Sequence, residues 1–223
     1  MASMDTNFLM EVLPFWKALS DADQQYLIQH TRVSDYPKGT RVHSGSAQCT
    51  GVLLVFTGQL RAYLLSEEGK EITLFRLLEQ DSCLLSATCI LKNISFDIFI
   101  DAECDTKLYV IEAYAFQTIC RKYIEAETFS KENISSRFSD VMWVMEQTIF
   151  MKFDQRLAIF LLDQASLDGS DTIHLTHEQI ARHMGSAREV VSRMLKYFQN
   201  EGLLQVSRGG IRLLDRKRLR DLT

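Results

Sequence analysis

The stretch MGSAREVVSRMLKYFQNEGLL, Met184 to Leu204, carries two arginines, a glutamate, a serine and a lysine at one-turn spacing. At about 100° per residue, Arg188, Glu189, Ser192, Arg193 and Lys196 fall within one arc of roughly 140°. Val190, Val191, Met194, Leu195 and Phe198 fill the opposite arc. Such a helix docks its apolar side on a core and offers a row of hydrogen-bonding groups to a partner. Arginine donates two parallel hydrogen bonds to guanine O6 and N7, and glutamate accepts from the cytosine amino group. The polar arc therefore has the inventory for reading base-pair edges in a DNA major groove. Glu189 and Arg193 are also spaced to pair with each other and hold both side chains against adjacent bases. A plainer account of the same residues is an exposed helix face laced by that ion pair.

The elements that must hold this arc are written on both sides of it. Thr176 precedes Glu178 and Gln179, with Gln179 at the capping-box position, so a helix is expected over Thr176–Met184. It stops at Gly185, which tolerates positive φ in a tight turn, and the next helix runs from near Ala187 to Gly202. Two helices joined by a short glycine-containing turn make a helix-turn-helix. LLQVS and GIRLLD follow, joined by Arg208-Gly209-Gly210, and form the hairpin of a winged helix. Arg188, Glu189, Ser192 and Arg193 are the candidate base contacts. Thr176 and His177 at the amino end of the first helix, Ser186 in the turn, Lys196 on the second helix and Arg208 in the wing are candidate phosphate contacts.

Charge follows the same division. Residues 1–175 hold 15 Lys and Arg against 24 Asp and Glu, whereas residues 176–223 hold 10 against 5. A basic end on an acidic body points to a polyanion-binding module joined to something else. No apolar run reaches the roughly 18 residues of a membrane helix, and Met-Ala-Ser-Met-Asp at the start lacks the basic and apolar regions of a secretory signal. A cytoplasmic protein is expected. HEQIARH, His177 to His183, places its histidines about 120° apart around a helix, which does not make a zinc-protease site. With no G-x-S-x-G, P-loop or dinucleotide fingerprint either, catalysis is not expected.

The acidic body divides in two. From about Tyr36 to Ile111 the chain reads as short strands, among them TRVHSG, GVLLVFTGQLRAYLLS and KEITLFRLL, with SEEGKE as a hairpin turn. Gly39, Gly45, Gly51, Gly58 and Gly69 punctuate them as in a compact antiparallel barrel or roll, and helical DADQQYLIQHT precedes it. After Tyr114 the pattern is helical, and Ile134, Phe138, Val141 and Met145 step by four, three and four, with Thr148 continuing. That seam packs either on its own β domain or on its copy in a homodimer. Asp154 is expected to cap a new helix and make a hinge. The five cysteines, Cys49, Cys83, Cys89, Cys104 and Cys120, show no CxxC spacing and are expected as thiols. Cys83 and Cys89, in an apolar stretch, form a redox couple, contribute to a metal site completed from elsewhere, or fill space. His30, His43 and His174 are scattered, so haem is a minor option, and no metal site is expected.

LTHEQIARHMGSAREVVSRMLKYFQNEGLL resembles the helix-turn-helix of the Crp/Fnr superfamily of bacterial transcription regulators, and GVLLVFTGQLRAYLLSEEGKEITLFRLL is similar to that family's β-roll. The resemblance implies an α+β chain: a cyclic-nucleotide-binding-like β-roll sensor over 1–124, a dimerisation helix and hinge over 125–153, and a winged helix-turn-helix over 154–223. It implies a homodimer on a palindromic operator with TGA-like half-sites, and contact with RNA polymerase in an activator. Arg188, Glu189 and Arg193 match base-reading positions of the cyclic-AMP-binding members, and Glu189, Ser192 and Arg193 match the E-x-x-S-R of the oxygen-sensing branch. Those cyclic-AMP binders carry G-E-[LI] and an Arg-Ser or Arg-Thr pair, where this chain has DSCLLSATCILKNISFDIF. Between Arg76 and Arg121 the only basic residues are Lys92 and Lys107, so cyclic AMP is expected to bind poorly. No cysteine precedes Cys49, which disfavours the N-terminal iron–sulfur cluster of the oxygen sensors. The effector is left open. The alternative is a redox- or ligand-sensing module whose basic C-terminal domain contacts a protein partner.

Overall fold

The computed structural model describes residues 5–45, 49–91 and 96–223; Met1 to Met4 and Lys92 lie outside them. The chain separates into two compact units, one of 1–65 with 74–141 and the other of 66–73 with 142–223.

The first unit is an antiparallel β-roll built from β1 (Thr31–Tyr36), β2 (Arg41–Ser44), β3 (Val52–Thr57), β4 (Leu60–Leu65), β5 (Glu71–Leu77), β6 (Ser82–Cys83), β7 (Phe99–Ala102) and β8 (Thr106–Ile111). One sheet has the order β1-β8-β3-β6 and the other β2-β7-β4-β5. In the first sheet β8 is central, pairing Ile111 with both Thr31 of β1 and Val52 of β3. Roll strands thus begin at Thr31, earlier than the composition shift near Tyr36 indicates. TRVSDY hides there because its polar residues lie at the roll's edge while Thr31 is buried. The SEEGKE turn closes as expected, with Ser66 N–H donating to Lys70 O at 2.8 Å. Gly58 is required by close approach: a Cβ there would meet Asp105 O at 2.7 Å.

Helices α1 (Thr6–Val12), α2 (Asp21–Gln29) and α3 (Ala113–Lys122) pack on the roll. Their apolar faces put Phe8, Leu9, Leu27, Phe116 and Ile119 into one core with Val52, Leu54, Tyr109 and Ile111 of the sheet. α1 has no counterpart in the sequence reading. It is a helix of only 7 residues, capped by Asp5, whose carboxylate accepts from Asn7 N–H.

Helix α4 (Ile124–Phe150) follows, then α5 (Phe153–Leu167). The break between them is where a hinge was expected, but its cap is different. Lys152, not Asp154, is the N-cap residue, and Gln155 reaches back to accept from Lys152 N–H at 3.1 Å. Asp154 lies inside the first turn, where its charge suits the helix dipole.

The second unit adds β9 (Thr172–Ile173), α6 (His177–His183), α7 (Arg188–Asn200), β10 (Leu204–Ser207), β11 (Gly210–Leu213) and α8 (Arg216–Arg220). β11 pairs with β10 and β9 in a three-stranded wing. Leu157 and Leu161 of α5, Ile180 of α6, Val191, Leu195 and Phe198 of α7, and Ile211 and Leu213 of the wing share one buried core. α8, basic and short, was not evident in the sequence; its buried Leu219 ties it to this core. Among the described residues, no helix is long and apolar enough to cross a membrane.

Candidate nucleic-acid interface

The turn between α6 and α7 is built by local chemistry. Thr176 Oγ accepts from Gln179 N–H at 3.2 Å and Gln179 Oε1 accepts from Thr176 N–H at 2.8 Å, the reciprocal capping box the sequence announces. Gly185 adopts φ +63°, the left-handed conformation that ends α6, and Ser186 N–H donates back to Ala181 O at 3.0 Å. One positioning residue escaped the sequence reading. Arg156 of α5 is half-buried and donates to Met184 O at 2.8 Å, satisfying a carbonyl at the end of α6. Its signal, an arginine on an otherwise apolar helix face, is indistinguishable in sequence from a solvated one.

α7 has the two faces its spacing dictates. Val191, Leu195 and Phe198 are fully buried, Val190 and Met194 half-buried, and Arg188, Glu189, Arg193 and Lys196 exposed. The N-cap residue Ala187 supplies no side-chain acceptor, so the first N–H groups of α7 are left without that partner. The expected Glu189–Arg193 ion pair does not form among the described residues; both side chains extend separately into solvent.

Two of the expected contacts have protein partners. Thr176 Oγ is engaged with Gln179 in the capping box. Ser192 is half-buried, with Oγ 2.7 Å from Nδ1 of His177. Burial, and then the nearby Arg188 charge, push the His177 pKa down. The wing turn is held by Ser207, whose Oγ accepts from Gly209 N–H at 3.2 Å and donates to Gly210 O at 3.1 Å. His174, scattered in sequence, contacts Gly209 O through Nδ1 at 2.8 Å and so supports the wing turn. Thr176, His177, Glu178, Arg188 and Arg208 converge on one open cleft of about 750 Å³ between the amino ends of the two helices and the wing. Glu189, Ser192, Arg193 and Lys196 continue along α7 beyond it.

α4 carries a different stripe from the expected one. Ile134 packs against the core of the first unit and Val141 is half-buried, whereas Phe138 is 64% exposed, Met142 40%, Met145 49% and Ile149 57%. The exposed positions step by four, three and four, so the seam is displaced by one turn toward the carboxyl end.

The cysteines are also arranged differently. Cys89 is disulfide-bonded to Cys49, so the Cys83–Cys89 couple is not formed and the expectation of five thiols fails. Forty residues separate the bonded pair, and only the fold of the roll brings them together. Cys83 is fully buried, and burial pushes its pKa up, which suits a space-filling thiol. Beside the cystine, Thr50 N–H donates to Ser86 O at 3.0 Å and Thr50 Oγ lies 2.8 Å from Nδ1 of buried His43. Asn133 of α4 binds this same β6 segment, donating to Ser82 O at 3.1 Å and accepting from Leu84 N–H at 3.3 Å. The roll interior also holds guanidinium groups that a count confined to 76–121 misses. Arg61 is buried 4.4 Å over the Tyr63 ring, and Arg137 of α4 lies 4.9 Å over Phe75. Among the described residues, no three His, Cys, Asp or Glu side chains cluster as a metal site.

Known proteins match this arrangement from end to end. Residues 155–222 match the Crp-like helix-turn-helix domain. A crystal structure of a Crp/Fnr-family transcriptional regulator from Eubacterium rectale is 46% identical, covering 95% of this chain and 98% of that one, with a TM-score of 0.91. The transcriptional regulator flp of Lacticaseibacillus casei is 25% identical over 94% of this chain and 95% of its own length. FixK2 from Bradyrhizobium japonicum, 19% identical over 86% of this chain and 96% of that one, shares the fold with a TM-score of 0.70. With its roll, long helix and winged helix-turn-helix all accounted for, the chain belongs to the Crp/Fnr family of transcription regulators.

Proposed function

We propose that this regulator acts in the cytoplasm as a homodimer that reads a two-fold DNA operator with TGA-like half-sites. The carrying observation is α7, whose apolar side is locked in a core while Arg188, Glu189 and Arg193 stand exposed along the other, beside a basic wing cleft. In this reading Arg188, Glu189, Ser192 and Arg193 meet base edges. His177, Ser186, Lys196 and Arg208 hold phosphates, with Thr176 contributing through the helix end it caps. Residues 1–124 receive the signal, 125–153 pair the two chains, and 154–223 bind DNA, with RNA polymerase as the further partner in an activating role. The regulator itself catalyses nothing.

The signal reading rests on a separate observation, the cystine on the surface of the roll. A small dithiol reduces Cys49–Cys89 by passing it two electrons and two protons, and leaves as a disulfide. Reduction frees the segment whose Ser82 and Leu84 are bound by Asn133 of α4. That shifts the population between DNA-binding and non-binding dimers. Selection and sequencing of bound fragments from random duplex DNA, run on oxidised and on reduced protein, tests both readings. The expected result is one enriched palindrome whose affinity differs roughly tenfold between the two redox states, a coupling of ordinary allosteric size. No enrichment in either state overturns the operator reading, and equal affinity in both overturns the redox one.

A further inference from the structure

We propose that His177 sets the hydrogen-bonding polarity of Ser192, and with it the class of base edge that Ser192 reads, so that protonation of one imidazole changes operator preference at one position. The inference rests on the base-facing placement of α7 above and assigns His177 a positioning role beyond phosphate contact.

The geometry is a single short contact between two helices. Ser192 Oγ lies 2.7 Å from His177 Nδ1, with 15 residues between them in sequence. Among the described residues, no other side chain has a polar contact with Ser192. A serine hydroxyl has one hydrogen and two acceptor sites, so what His177 does with that hydrogen fixes what is left for DNA. With Nε2–H donating to a phosphate, the neutral ring has a bare Nδ1, which accepts the only Ser192 hydrogen. Ser192 then offers lone pairs alone, which suit the amino groups of cytosine N4 and adenine N6. In the imidazolium both nitrogens donate. Nδ1–H then points at Ser192 Oγ, the hydroxyl hydrogen turns toward the groove, and the complementary edges become guanine N7 and O6 or thymine O4.

The groups around His177 place this change where it matters. Arg188 at the start of α7, Glu178 beside it on α6, and His174 and Arg208 toward the wing all line the same cleft. Burial and the Arg188 charge favour the neutral ring in the free protein. A DNA phosphate adds negative charge and favours the imidazolium, so binding is linked to proton uptake, and imidazole is the side chain that titrates near neutrality. The donor-presenting state of Ser192 therefore gains weight as pH falls.

The test is selection from randomised duplex DNA with the full chain at about pH 6 and about pH 8, on either side of the ordinary histidine range. The position read by Ser192 is located as the one whose preference is lost in Ser192→Ala. In the wild-type protein, preference there should move roughly fivefold from amino-bearing edges at the higher pH toward acceptor edges at the lower, the ordinary value of one hydrogen bond. His177→Gln, which keeps a polar side chain but does not titrate, and His177→Ala should each retain the operator and show one pH-independent preference. A pH-independent wild-type preference, or a shift that survives in both His177 variants, overturns the proposal while leaving base reading by α7 intact. Loss of no preference in Ser192→Ala overturns it as well. Failure to enrich any operator removes the base-reading arrangement and this inference together.

Discussion

Arg193 and Ser192 are neighbours on one helix, yet the structure gives them different freedom. Arg193 is exposed and unpaired by Glu189, so it reaches a partner with all its donors available. Arg193→Ala should weaken operator binding by about 1–3 kcal/mol, and should flatten discrimination at a single G·C pair. Binding titrations against the operator and its single-base variants check this, and an equal loss on every sequence would show that Arg193 contacts backbone instead. Ser192, by contrast, is half-engaged before DNA arrives. That difference was not legible in the sequence, where both simply fall on the polar arc. Periodicity reports which side of a helix a residue occupies, whereas the His177 contact depends on how α6 crosses α7. Arg156 and the Cys49–Cys89 bond were hidden for the same reason, since each joins residues that only the tertiary fold makes adjacent.

At the level of elements, local codes served best. The Thr176–Gln179 box, the Gly185 turn and the Arg208-Gly209-Gly210 wing are all specified by residues within one or two turns, and each formed where its chemistry required. The α4 seam was less well specified, because Ile134, Phe138, Val141 and Met145 satisfy the same spacing as the exposed set. What distinguishes the two is that Ile134 already has a core to join. Phe138→Glu or Met145→Glu should therefore convert a dimer into a monomer, by placing like charges across a desolvated seam. Sedimentation at micromolar protein checks it, with Ile134→Val as the control expected to leave assembly unchanged. A monomeric wild-type protein, or dimeric glutamate variants, would place the dimer contact elsewhere.

Over the whole molecule, the acidic roll and the basic helix-turn-helix unit answer to different constraints. The second unit depends on packing and caps. The first adds a covalent tie that closes a loop of 40 residues, which restricts the unfolded chain by up to about 4 kcal/mol. Reduction should lower the denaturant midpoint of the first unit and leave that of the second unchanged. Fluorescence of Trp16 and Trp143 together with circular dichroism follows the two transitions, and Cys49→Ser should reproduce the reduced profile without added thiol. Coincident shifts of both transitions would mean that the units unfold as one.

The exposed stripe on α4 has a consequence for gene dosage. Four apolar positions, Phe138, Met142, Met145 and Ile149, make a short seam, so chains exchange partners when they are scarce. Below the dimer dissociation constant, promoter occupancy then rises with the square of the number of chains in the cell. Doubling expression would quadruple the response at a weak operator, and the cell could set its sensitivity by synthesis and turnover of the regulator as readily as by the signal itself.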